Sequence, residues 1–191
     1  MILEIPLSMN DKKKRIVALS GSIRKESLNL QILNYIAQQM AQYSSQIEFE
    51  IYEGMDKLPY FNPDLNNAQN LPQEVAVFRN EIAYSDAVVI CTPEYVFSLP
   101  ACLKNALEWT VSTTVFSDKP VALVTAAASG VKAQKALSLI MKTIGAKVSR
   151  KADILIQAPK AKVSKEGVVL DEKTKGELEQ LMSSLGKQLN L

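Results

Sequence analysis

A chain of 191 residues with 47% hydrophobic and 22% charged side chains has the length and apolar content of one globular domain with its own core. A net charge of +2 is too small to argue for nucleic acid as a partner, and no apolar run approaches the roughly 20 residues of a membrane span. The chain has no histidine, which excludes Ser-His-Asp and Cys-His catalysis, histidine bases and histidine-ligated zinc.

The first 14 residues read as a loose N-terminal extension. Apolar Met1 to Leu7 precedes the basic group Lys12-Lys13-Lys14-Arg15, the reverse of the order in a signal peptide. Met9 is an alternative start within this stretch. The folded domain is expected over residues 15–191. Its first element is Ile16 to Leu19, a short, continuously apolar run of the kind buried on both faces of a parallel sheet. Leu28, Ile32, Ile36 and Met40 then repeat every four residues, as on one face of a helix. Ile47 to Tyr52 alternates through Ile47, Phe49 and Ile51, which predicts an edge strand with one wetter face.

Residues 53–70 hold Pro59, Asn62, Pro63, Asp64, Asn66 and Asn67 and predict one long loop, a length that is often functional in a compact domain. Pro72 is placed to open a helix carrying Val75, Phe78 and Ile82. Ala87 to Ile90 is the next buried strand, and Pro100 opens a helix with Leu103, Leu107 and Val111. Val121 to Val124 is followed by Leu137, Ile140, Met141 and Ile144, a helical stripe that stops at Gly145. Ile154 to Ile156 is the last strand. Leu178, Leu181, Met182, Leu185 and Leu189 form the last helix. Strand and helix alternate five times, without internal repeat or linker. That order predicts a three-layer α/β/α sandwich on a five-stranded parallel sheet with right-handed crossovers. The two cysteines, Cys91 and Cys102, sit in apolar surroundings, make no C-x-x-C pair, and read as free thiols of a reducing, cytoplasmic compartment.

Ligands of such sheets bind outside the carboxyl ends of the strands. The loop after the first strand runs Ser20-Gly21-Ser22-Ile23-Arg24-Lys25-Glu26-Ser27-Leu28-Asn29. Short polar side chains, a tight turn at Gly21, a helix N-terminus and the planar donor fork of Arg24 together suit a phosphate dianion. Neither G-x-G-x-x-G nor G-x-x-x-x-G-K-[ST] occurs there. The same residues also describe a capped helix start with Ser27 as the cap, so two readings stand. The loop after the third strand, Thr92-Pro93-Glu94-Tyr95-Val96-Phe97-Ser98-Leu99-Pro100, is stiffened by two prolines. Tyr95 and Phe97 offer either a shelf for a flat ring or a hydrophobic plug.

Three pieces of the chain together resemble the NADPH-dependent FMN reductase family, whose relatives include quinone, azo and chromate reductases. They are Leu19-Ser20-Gly21-Ser22-Ile23-Arg24 with Ser27 and Asn29, Leu58-Pro59-Tyr60-Phe61-Asn62-Pro63-Asp64, and Thr92-Pro93-Glu94-Tyr95 running through Leu103-Lys104-Asn105-Ala106-Leu107-Glu108-Trp109. The resemblance implies a flavodoxin-like fold with strand order 2-1-3-4-5. It implies that Ser20, Ser22, Arg24, Ser27, Leu28 and Asn29 hold the FMN phosphate, and that Pro93, Glu94, Tyr95, Val96 and Phe97 border the isoalloxazine. Family members usually carry Asn or His at the place of Val96.

The fourth loop is often glycine-rich in the family. Here it reads Thr125-Ala126-Ala127-Ala128-Ser129-Gly130-Val131-Lys132, and Ala128 and Ser129 would lie at the flavin. The N–H groups of the helix it opens would then face the pyrimidine edge and favour negative charge on reduced flavin. The implied activity passes hydride from NADPH or NADH through flavin N5 to a small oxidised acceptor, with no catalytic side chain. The resemblance further implies a homodimer or homotetramer, with Trp109 packed either against a second subunit or in the core. Alternatives are a flavodoxin-type electron carrier, or a non-enzymatic flavin-binding or regulatory domain. A receiver domain would need clustered aspartates where Ser20-Gly21-Ser22 stands.

Overall fold

A computed structural model describes residues 13–191. Most of the expected extension over residues 1–14, Met9 included, lies outside them. Lys14, which that extension was expected to include, pairs with Ile47 instead, so β1 spans Lys14–Ser20. The remaining strands are β2 (Ile47–Ile51), β3 (Ala87–Thr92), β4 (Pro120–Ala127) and β5 (Lys147–Gln157). All pair in parallel, in the order β2-β1-β3-β4-β5, and β2 is an edge strand as its alternation predicted.

The period of two along each strand sorts the core into two layers. Ile16, Ala18, Val89 and Cys91 face α1 (Leu28–Tyr43) and α5 (Glu172–Gln188). Val17, Leu19, Val88 and Ile90 face α2 (Gln73–Ala83), α3 (Ala101–Glu108) and α4 (Val131–Thr143). The cores of β1, β3 and β4 are buried on both sides, which is why these runs are continuously apolar.

Local chemistry sets the helix ends. The Ser27 hydroxyl accepts the N–H of Leu30 at the start of α1, and the Asp171 carboxylate accepts that of Thr174 at the start of α5. Pro72 and Pro100 stand at the cap positions of α2 and α3. Gly145, at φ +83°, stops α4 as expected. Two expectations change. Helix α3 ends at Glu108, so Val111 lies outside it and is 63% exposed rather than part of a buried stripe. Strand β5 extends well before Ile154 through polar Lys147 to Lys151, with a register irregularity against Val121 to Leu123.

Candidate functional site

The loop after β1 is fastened to β3. The Gly21 N–H donates to the Cys91 carbonyl at 2.8 Å, and a side chain on Gly21 would sit 2.3 Å from Thr92 Oγ1 and 2.6 Å from Thr92 Cβ. This is close approach of backbone to a neighbouring strand, which only glycine permits. The Ser20 hydroxyl donates to the Ser22 carbonyl at 2.9 Å and accepts the Ser22 N–H at 3.3 Å, so Ser20 shapes the loop. Ser22 Oγ accepts the Arg24 N–H at 3.4 Å, and Ser27 Oγ caps α1 at 3.1 Å.

A hydroxyl that accepts an N–H keeps its own proton to donate. The capping reading and the phosphate reading of Ser27 are therefore compatible. The N–H groups of Leu28 and Asn29 belong to the first helical turn and have no intrahelical acceptor. Ser22, Ser27 and Asn29 are buried, while Arg24 is exposed and makes no ion pair among the described residues. Hydroxyl and backbone donors, together with a guanidinium that makes no ion pair among the described residues, fit a phosphate dianion.

The loop after β3 closes into a short hairpin. Tyr95 and Ser98 exchange N–H and carbonyl bonds at 3.0 Å each, and the two residues between them, Val96 and Phe97, have φ of 51° and 56°. That is a two-residue turn of the primed kind, which favours Asn and Gly and strains a β-branched residue. Val96 is 97% exposed and Phe97 74%, so the hydrophobic plug is not formed and both present apolar surface outward.

Beside this turn, Glu94 directs its carboxylate to the start of α4. Oε1 accepts the Gly130 N–H at 3.2 Å, and Oε2 accepts those of Lys132 at 2.9 Å and Ala133 at 3.0 Å. These bonds, the Ala133 N–H foremost, hold its carboxyl below the ordinary range. The helix start expected to offer N–H groups to a flavin edge thus already holds a carboxylate. Ala128 and Ser129 before it are exposed. Their loop is tied to β5 by the Ala158 N–H on the Ala127 carbonyl and by Gln157 Nε2 on that of Ser129, at 3.0 and 3.1 Å.

The long loop after β2 hangs on α3. Asn105 Oδ1 accepts the Phe61 N–H at 2.7 Å, while Asn105 Nδ2 and Trp109 Nε1 both donate to the Pro59 carbonyl, at 2.9 and 2.8 Å. The Phe61 ring meets the Trp109 indole edge-on with centroids 5.1 Å apart. Trp109 is fully buried, so of its two expected uses the structure realises core packing. The Arg79 guanidinium donates to the Trp109 carbonyl and to Asn66, closing the far end of that loop.

Asn105 was not singled out from the sequence. Its signals are its place in the Leu103-to-Trp109 stretch that carries the family resemblance and an amide between the apolar positions Leu103 and Leu107. A cleft of about 730 Å3 opens between β2 and α2, lined by Tyr52, Glu53, Lys57, Glu74 and Glu81, and none of its lining residues belongs to the loops after β1, β3 or β4. Among the described residues no cluster of His, Cys, Asp and Glu could hold a metal ion, and no helix is long and apolar enough to cross a membrane.

A family model described as NADPH-dependent FMN reductase matches residues 14–159. An NADPH:quinone oxidoreductase of Arabidopsis thaliana is 36% identical over 111 residues, which cover 58% of this chain and 56% of that enzyme. The chain is thus aligned to little more than half of that relative's length. A subunit of NADH:(hydroxy)cinnamate reductase from Vibrio ruber is 30% identical over 171 residues, covering 86% of this chain and 82% of the subunit. The solved structure of a flavoenzyme NAD(P)H:(acceptor) oxidoreductase from Paracoccus denitrificans superposes with a TM-score of 0.75 and 28% identity, over 93% of this chain and 97% of that one. The family match begins at the first residue of β1 and takes in the loops that converge at the carboxyl edge of β1, β3 and β4, and with it the chain belongs to the NADPH-dependent FMN reductase family.

Proposed function

We propose that this protein is an FMN-dependent NAD(P)H oxidoreductase that reduces small, flat oxidised acceptors of the quinone or azo type. The observation that carries the reading is the loop from Ser20 to Asn29. Its hydroxyls and Arg24, which makes no ion pair among the described residues, follow β1 at the same sheet edge at which β3 leads into the Tyr95–Ser98 hairpin. FMN, when bound, supplies the two-electron chemistry between reduced nicotinamide and acceptor. Ser22 and Ser27 would donate their hydroxyl protons to its phosphate, joined by the N–H groups of Leu28 and Asn29, and Arg24 would balance the charge. Ser20 holds the loop in the shape that aims these groups. Pro93, Tyr95, Val96 and Phe97 would border the ring, together with Ala128 and Ser129. No side-chain acid or base is required of the protein, which is consistent with a chain that has no histidine.

The exposed apolar surface of Val96 and Phe97, with Tyr95 48% exposed, supports a second copy of the chain covering the mouth of the site, in a homodimer or homotetramer. Two unpaired thiols support a reducing, cytoplasmic location. The test is to purify the protein, soak it with FMN, record the visible spectrum, and then add NADPH, or NADH, and a quinone. Flavin bands followed by oxidation of the nicotinamide are expected. No retained flavin overturns the reading, and retained flavin without nicotinamide oxidation makes the protein an electron carrier.

A further inference from the structure

We propose that Glu94 is a positioning residue that latches the loop after β3 to α4 and thereby sets the gap between the two loops that border the flavin ring. The inference rests on the cofactor reading above. It starts from a deficiency in α4. The helix begins at Val131 behind Gly130, which has no side chain and makes no cap bond. Helices α1 and α5 are capped by their own Ser27 and Asp171. The start of α4 is satisfied instead by Glu94, which lies on another loop and takes three of its backbone N–H groups on one carboxylate.

The loop that carries Glu94 needs such a fastening. Val96 and Phe97 are held in the left-handed region, which is unfavourable for both and most for β-branched Val96. Their side chains are exposed, so packing does not hold the turn in place. Among the described residues, Glu94 is the one side chain from Pro93 to Ser98 that hydrogen-bonds outside the loop. The loop after β4 is in turn bonded to β5 through Ala127 and Ser129. Glu94 is therefore the side-chain link between a strained turn and a braced one. A ring inserted between these loops meets a spacing that Glu94 fixes. The carboxylate itself is committed to α4 and does not serve as a ligand of the ring.

The test compares the full-length wild type with Glu94→Ala and Glu94→Gln. FMN dissociation constants are measured by fluorescence titration, bound flavin by visible circular dichroism, and amide exchange at Gly130, Lys132 and Ala133 in the flavin-free proteins. Glu94→Ala is expected to weaken FMN binding by about tenfold or more, the scale of one lost charged hydrogen bond. It is also expected to alter the flavin dichroism and to speed exchange at those three amides while leaving the core of β3 protected. Glu94→Gln keeps one acceptor oxygen and is expected to fall between, and it decides the matter should the alanine variant not fold. A dissociation constant within about twofold of wild type with unchanged dichroism, or unchanged exchange at the three amides, overturns the inference. A wild type that retains no flavin overturns the cofactor reading and this inference together. The wild-type titration alone tells the two failures apart.

Discussion

Replacing Gly21 with alanine tests the close approach of the first loop to β3. The added Cβ would stand 2.3 Å from Thr92 Oγ1, 2.6 Å from Thr92 Cβ and 2.9 Å from Thr92 Cα. Rotation about χ1 moves only the first of these. The other two atoms are fixed, because Thr92 is fully buried and pairs with Thr125 at the carboxyl end of β3, the central strand of the sheet. Carbon atoms pack at about 3.5–4.0 Å, so the loop backbone must retreat by roughly 1 Å. Overpacking of this kind costs about 1–3 kcal/mol, and the retreat weakens the Gly21 N–H bond to Cys91, worth about 1 kcal/mol. Gly21→Ala should therefore destabilise the flavin-free protein by about 2–4 kcal/mol in urea unfolding. It should also weaken FMN binding, since Ser20 and Ser22 move with the loop. In a Thr92→Gly background, which removes both Oγ1 and Cβ, the same change should cost at least about 1 kcal/mol less. A Gly21→Ala protein within about 0.5 kcal/mol of wild type, or a cost that is the same in both backgrounds, would refute the reasoning.

Three other substitutions probe different parts of the site. Arg24→Ala should weaken FMN binding by about 1–3 kcal/mol with little change in unfolding of the flavin-free protein, and an unaltered dissociation constant would remove Arg24 from the phosphate site. Val96→Asn should raise stability by about 1 kcal/mol, because Asn tolerates the left-handed backbone that Val96 is made to adopt; a lowered thermal midpoint would contradict that. The pH dependence of stability has a definite sign. The carboxyls of Glu94, held down first by the Ala133 N–H, and of Asp171, held down first by the Thr174 hydroxyl, have folded values below their ordinary ones. Each stabilises the fold above the ordinary carboxylate range, near pH 4, and loses that contribution as pH falls through its folded value. Urea midpoints of the wild type should drop more steeply from about pH 5 to pH 3 than those of a Glu94→Gln, Asp171→Asn double variant, and equal slopes would count against both caps.

The parts of this fold that were legible in the sequence are those whose signal is local. Ile16 to Leu19 or Ala87 to Ile90 must be apolar on both faces to lie between two helical layers, and that requirement is written in four consecutive residues. The loop from Ser20 to Asn29 was legible for the same reason, since its turn, its hydroxyls and the cap of α1 lie within ten positions. What escaped was set by partners far along the chain. Glu94 reads as a ring neighbour until α4, 36 to 39 positions later, is brought to its carboxylate. Lys147 to Lys151 lack the continuous apolar run of a buried strand because the strand they form is an edge strand with exposed polar side chains. Val111 keeps helical spacing with Leu107, yet the α3 helix has already ended, with Arg79 bound to the carbonyl of Trp109. The conformation of Val96 was not readable from its residue type at all, because valine argues against the backbone it adopts.

The contact between Cys91 and Asn29 has a consequence for the sign of the first loop. Full burial pushes the Cys91 thiol far above its ordinary value, so it stays protonated across the physiological range. A thiol that cannot ionise acts here as a donor, and Asn29 Oδ1 lies 3.3 Å from its sulfur. The carboxamide of Asn29 is thereby fixed end for end: its oxygen is turned inward, and its NH2 group is the end left for the other side. An amide is otherwise indifferent to charge, able to greet a cation with one end or an anion with the other. Cys91, 62 positions away along the chain and uncharged, gives this one a polarity.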